Sequence, residues 1–183
     1  MTPPTRYHLV LLALCLLPGL AAGRAIATDQ GLVKCHISEN SKSASGRLVI
    51  KAGDRVIAEG ACREAGLRVP AGKYTAIVGL DGVLDAPEAR RSVTVAPGQT
   101  ARVSADFATG VLQLVFTQGG KPAAGMAIIR RSGKQIGTVA SGVAAHLSVG
   151  RYEVTARYRH HRRDLGAVSV TAGGHKTLQV AFD

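Results

Sequence analysis

The sequence predicts an all-β protein of two tandem β-sandwich modules, and three observations carry that prediction. Apolar residues alternate with a period of two in short runs, glycine-containing turns separate the runs, and the whole pattern occurs twice. Composition agrees: the 183 residues include 22 glycines, only 4% aromatics and no tryptophan, a balance that suits short strands and turns better than helices.

The chain opens with Arg6 and His8, an apolar run from Leu9 to Leu20 with Pro18 near its end, and the small residues Ala21-Ala22-Gly23. Charged, apolar and small in that order is the pattern of a secretory signal peptide. A membrane-spanning helix needs roughly 20 apolar residues and this run has about a dozen. The expectation is therefore a signal peptide over residues 1–25, no transmembrane anchor in the mature chain, and a periplasmic or extracellular location. Small residues also permit cleavage after Gly23 or Ala27. Lipid attachment at Cys15 is disfavoured, because Leu14 stands where a small residue is required and apolar residues follow the cysteine.

The repeat organises the rest, as modules at residues 28–108 and 109–183. Val33, Cys35 and Ile37 have the spacing of Leu112, Leu114 and Phe116, and each trio lies on one face of a strand. Gly46–Ile50 matches Gly125–Ile129, each followed by a polar turn containing glycine. Leu67–Tyr74 matches Leu147–Tyr152 if two residues are deleted. The copies close alike: Ser92–Gly98 aligns with Val168–Gly173 at the valines, and Val103, Ala105 and Phe107 align with Leu178, Val180 and Phe182. Each copy holds roughly seven short strands, the number expected of a small sandwich. The link Ala108-Thr109 is short enough to bring the modules into contact.

On these residues, above all "GKPAAGMAIIRRSGKQIG", "LSVGRYEVTARY" and "VSVTAGGHKTLQVAF" with the weaker partners "LRVPAGKYTAIV" and "RRSVTVAPGQTARVSADF", the chain resembles the carboxypeptidase-regulatory-like and PEGA-type modules of bacterial envelope proteins. The resemblance implies transthyretin-like or immunoglobulin-like sandwiches with structural, adhesive or interaction-mediating roles. It encodes sandwich geometry, and fold alone does not assign function.

No candidate for catalysis emerges. None of the serines lies in a Gly-x-Ser-x-Gly elbow, and Ser141 falls in a loop without that flank. Cys35 sits on an inward strand face, a poor setting for a reactive thiolate. The histidines His36, His146, His160, His161 and His175 show no metal-ligand spacing. Gly119-Gly120 and Gly173-Gly174 read as hairpin turns, with no phosphate-loop pattern around them. The chain is expected to be non-enzymatic, with no cofactor and no bound metal. Once the signal is removed, Cys35 and Cys62 are expected to form one disulfide, the alternative being a pair of small buried thiols.

Charge marks one segment. The whole chain carries +11; Ala27 to Thr109 has 11 basic and 9 acidic residues, whereas Gly110 to Asp183 has 10 and 3. Four arginines, Arg157, Arg159, Arg162 and Arg163, gather with Tyr158, His160 and His161 in one strand-turn segment. Their guanidinium forks suit phosphate, sulfate or carboxylate groups. The same segment also reads as a solvated hairpin whose charges keep an edge strand from aggregating. Strand alternation would divide the side chains between two faces, so a single patch requires a bend. The partners expected are an envelope protein or an anionic glycan such as lipopolysaccharide. Nucleic acid is not expected, since the aromatic stacking platform for single strands is missing.

Overall fold

The structure, a computed structural model, describes residues 29–182. The expected signal peptide and Cys15 lie outside the described residues. Two β-sandwich modules follow each other, each made of eight strands in two sheets. The first module contains β1 (Gln30–Glu39), β2 (Lys42–Ser43), β3 (Gly46–Ala52), β4 (Arg55–Ala61), β5 (Leu67–Pro70), β6 (Gly72–Leu80), β7 (Glu88–Val95) and β8 (Thr100–Phe107). The second contains β9 (Thr109–Gln118), β10 (Lys121–Pro122), β11 (Met126–Arg131), β12 (Lys134–Ala140), β13 (Ala144–Ser148), β14 (Gly150–Tyr158), β15 (His161–Val170) and β16 (His175–Phe182). The count exceeds the seven expected because a two-residue strand, β2 or β10, folds back on the end of each opening strand.

Topology is the same in both modules. One sheet is antiparallel, in the order β4-β3-β6-β7 in the first module and β12-β11-β14-β15 in the second. In the other sheet the opening strand is central: β1 pairs antiparallel with β5 and parallel with β8, and β9 pairs likewise with β13 and β16. Alternation places Val33, Cys35, Ile37, Leu48, Ile50 and Val78 in one core, and Leu112, Leu114, Phe116, Ile129, Leu147 and Tyr152 in the other. Burying one face of each sheet against its partner is the main favourable term in such a fold.

One segment of the repeat is in a different register from the expectation. Val69 faces Gly31 and Leu147 faces Gly110, so Leu147 is the counterpart of Val69, while Leu67, which faces Val33, is the counterpart of Ala145, which faces Leu112. No deletion is needed. Residue identity favoured matching leucine with leucine, but the sandwich matches the inward position, and Val69 and Leu147 are both fully buried. Tyr74 and Tyr152 remain equivalent. The Tyr74 hydroxyl donates to the Pro70 carbonyl at 2.9 Å and the Tyr152 hydroxyl to the Ser148 carbonyl at 2.7 Å, each four residues back.

Cys35 and Cys62 form a disulfide, with their Cα atoms 4.9 Å apart. It ties β1 to the loop after β4. In the second module Leu114 replaces Cys35, and Ser141 occupies the place of Cys62, since Cys62 N–H donates to Gly46 and Ser141 N–H to Gly125. There the connection is made by hydrogen bonds: Phe116 N–H donates to Ser141 Oγ at 2.9 Å and Gly142 N–H to the Leu114 carbonyl at 2.7 Å.

Candidate functional site

Polar and charged groups concentrate at two places: the joint between the modules and the hairpin at the opposite end of the second module.

The joint is built from two loops of the first module. Between the equivalent pairs Tyr74/Val93 and Tyr152/Val168 the first copy is three residues longer, and the extra length forms the β6–β7 loop. Leu84 in this loop packs against the core of the second module, and its N–H donates to the His146 carbonyl at 2.8 Å. Space for Leu84 comes from small residues: a Cβ on Gly137 would lie 2.6 Å from a Leu84 methyl. The first module has Ala58 at the place of Gly137 and Leu67 at the place of Ala145, so it fills this side with its own chain.

Next to Leu84, the Asp85 side chain is only 5% exposed. Oδ1 accepts from Ser148 N–H at 3.0 Å and Ser148 Oγ at 3.1 Å, while Oδ2 lies 2.8 Å from Arg131 Nη1 and 3.0 Å from the Tyr152 hydroxyl. The single phenolic hydrogen is shared between Asp85 and the nearer Ser148 carbonyl. Burial, followed by the Asp85 charge, pushes the Tyr152 phenol well above its ordinary pKa. Tyr152 is fully buried in the core of the second module, with Asp85 of the first module against its hydroxyl. The second loop is the turn after β1. Asn40 exchanges hydrogen bonds with the backbone of Thr109, donating at 3.1 Å and accepting at 3.1 Å, and Glu39 accepts from the Thr109 hydroxyl and lies 3.3 Å from His146 Nε2.

The basic segment folds as a tight hairpin. β14 ends at Tyr158, Arg159 and His160 form the turn, and β15 begins at His161. The required bend is present, yet it does not gather the four arginines on one face. Arg157 and Arg162 are cross-strand partners on the outer face of the sheet. Arg163 lies opposite the buried Ala156 and donates to the Ala181 carbonyl at 2.7 Å. The Arg159 guanidinium sits 5.2 Å from the centre of the Tyr158 ring. Tyr158 in turn packs on Phe182 and donates to Gln118 Oε1 at 2.7 Å, which anchors the hairpin at the end of the module away from the joint. All four arginines and both histidines of the segment are exposed. Among the described residues, no carboxylate lies within 4 Å of any of these arginines.

His160 lies in the turn and His161 opens β15. Among the described residues, no group of three or more His, Cys, Asp or Glu side chains is placed to hold a metal ion, and no helix is long and apolar enough to cross a membrane. Elsewhere, hydrogen bonding from Arg102 to the exposed Glu64 holds its carboxyl below the ordinary value, with Lys34 adding to the effect. Sequence reasoning missed Leu84, Asp85, Asn40 and Arg131. The available signals were the three-residue surplus of the first copy and the contrast between Asn40-Ser41 and the corresponding Gly119-Gly120.

No family model matches the sequence, and no curated protein matches it. Three of the solved structures to which this chain is similar are bacterial proteins. The Bacillus anthracis TIE protein is 14% identical with a TM-score of 0.39, covering 84% of this chain and 34% of its own, so this chain spans about a third of that protein. The GBS52 minor pilin of Streptococcus agalactiae is 11% identical with a TM-score of 0.40, covering 83% of this chain and 94% of its own. A Bacteroides ovatus candidate cell adhesion protein is 9% identical with a TM-score of 0.39, covering 86% and 93%. All three TM-scores are below 0.5.

Proposed function

We propose that this chain is a non-enzymatic interaction protein of the bacterial cell envelope, exported by a signal peptide over residues 1–25 and composed of modules at 28–108 and 109–183. The observation that carries this reading is the joint. The most buried carboxylate described in the ion pairs, Asp85, is committed to holding one module against the other through Arg131, Ser148 and Tyr152. Together with Leu84 and the Asn40–Thr109 pair, this makes the two sandwiches one stiffened unit, the property wanted in a spacer or scaffold that presents its far end to a partner. The preceding apolar run supports a periplasmic or extracellular location, and the Cys35–Cys62 bond suits an oxidising compartment.

The test is cross-linking of the epitope-tagged full chain in living cells, followed by fractionation. The reading expects the tagged protein in the envelope or medium, joined to discrete partner molecules. Recovery from the cytoplasm, or as a free chain without adducts, would overturn it.

A further inference from the structure

The topology makes one connection in each module comparable. The β6–β7 connection of the first module docks on the second module, and its counterpart in the second module is the β14–β15 hairpin, Arg157 to Arg163. The first of these connections is satisfied within the chain. The second projects at the far end.

We propose that this hairpin is the docking element through which the second module engages a separate protein by an acidic surface, in the position where the first module uses Leu84 and Asp85 to engage the second. The inference rests on the interaction reading above and specifies its site and the chemistry of the partner.

Four further observations support it. Arg157 and Arg162 stand directly opposite each other on adjacent strands, an arrangement of like charges that opposes folding, and among the described residues no carboxylate relieves it. Arg159 occupies the first turn position with a φ of 50°, where glycine is the usual residue, so the backbone accepts strain to carry a guanidinium at the tip. Asp164, the acidic residue beside the hairpin, spends an oxygen on the Gly166 N–H. Like-charge repulsion and backbone strain thus oppose the hairpin, and carboxylates meeting the guanidinium forks would offset both. Exposed Met126 neighbours Arg157 across the sheet and adds an apolar contact to the same face.

A second copy of this chain does not fit that role. Docking in the manner of the joint would require the open side of a first module, and there Ala58 and Leu67 already fill the place that Gly137 and Ala145 leave open in the second.

The experiment uses poly-L-glutamate and dextran sulfate as probes against the full chain, a hairpin variant (Arg157→Ser, Arg159→Ser, Arg162→Ser) and a charge-matched control (Arg55→Ser, Arg68→Ser, Arg90→Ser). Thermal melts first establish that the variants are folded; if the triple hairpin variant is not, Arg157→Ser and Arg162→Ser are read singly. The expected result is that poly-L-glutamate binds the hairpin variant about ten-fold or more weakly and the control within about two-fold of the parent, with binding screened at about 0.5 M salt. Equal losses in the two triple variants would overturn the proposal by reducing it to net charge. A loss confined to dextran sulfate would also overturn it, since the site would then serve a glycan. In cells, cross-linked adducts that persist in the hairpin variant would leave the interaction reading standing and this one refuted.

Discussion

Replacing Asp85 with alanine should loosen the second module more than any single change on the surface of the first. The side chain is 5% exposed and serves Ser148, Tyr152 and Arg131. A hydrogen bond to a charged group contributes about 1.5–3 kcal/mol, and removing its acceptor leaves the Ser148 N–H in a site with no replacement. Arg131 is 44% exposed, so its share is discounted for solvent screening, and the Tyr152 hydrogen retains the Ser148 carbonyl. The net expectation is a loss of about 3–4 kcal/mol, below the upper end for a fully buried ion pair. For a protein of this size that corresponds to a fall in Tm of about 6–16 °C. Scanning calorimetry is the suitable assay, because it resolves whether the modules melt together or in sequence. The control is Asp81→Ala, an exposed position in the same loop, expected to change stability by about 0.5 kcal/mol or less. An Asp85→Ala protein melting within about 1 °C of the parent would refute the reasoning, since it would mean that water replaces the carboxylate at no cost.

Leu84→Ala should cost about 1.5–2.5 kcal/mol by emptying its seat in the second core, and Gly137→Ala should be destabilising alone yet markedly less so in combination with it; additive losses in a double-mutant cycle would deny the contact. Cys62→Ser opens a loop spanning 27 positions and should lower stability by about 3–4 kcal/mol in urea titrations, matching the reduced parent; an unchanged midpoint would contradict this. Tyr152 has a raised phenol pKa, so its contribution to stability is complete below the ordinary tyrosine value of about 10 and is lost as pH rises above it. Melting in alkaline buffer should therefore fall more steeply for the parent than for Tyr152→Phe, and parallel curves would exclude Tyr152 as the cause.

What the sequence determined by itself was the repeat and its faces. A period of two assigns Val33, Cys35 and Ile37, or Leu112, Leu114 and Phe116, to the core side without reference to any partner, because side-chain direction in a strand is a local property. The pairing of the cysteines was legible from their number and the expected export, and the structure joins them. The hairpin at Arg157–Arg163 was also legible as a cluster, although the division of its guanidinium groups needed the cross-strand register. Tertiary structure alone decided the joint. Leu84 and Asp85 look like ordinary residues of a surface loop, and nothing local distinguishes Asp85 from the exposed Asp81. Their roles depend on a vacancy created by Gly137 and Ala145, more than 50 residues away in the chain, and on donors from Arg131, Ser148 and Tyr152. Burial of a polar group is favourable only when its partners converge on it. That convergence belongs to the docking of two modules, a long-range arrangement that no window of the sequence contains.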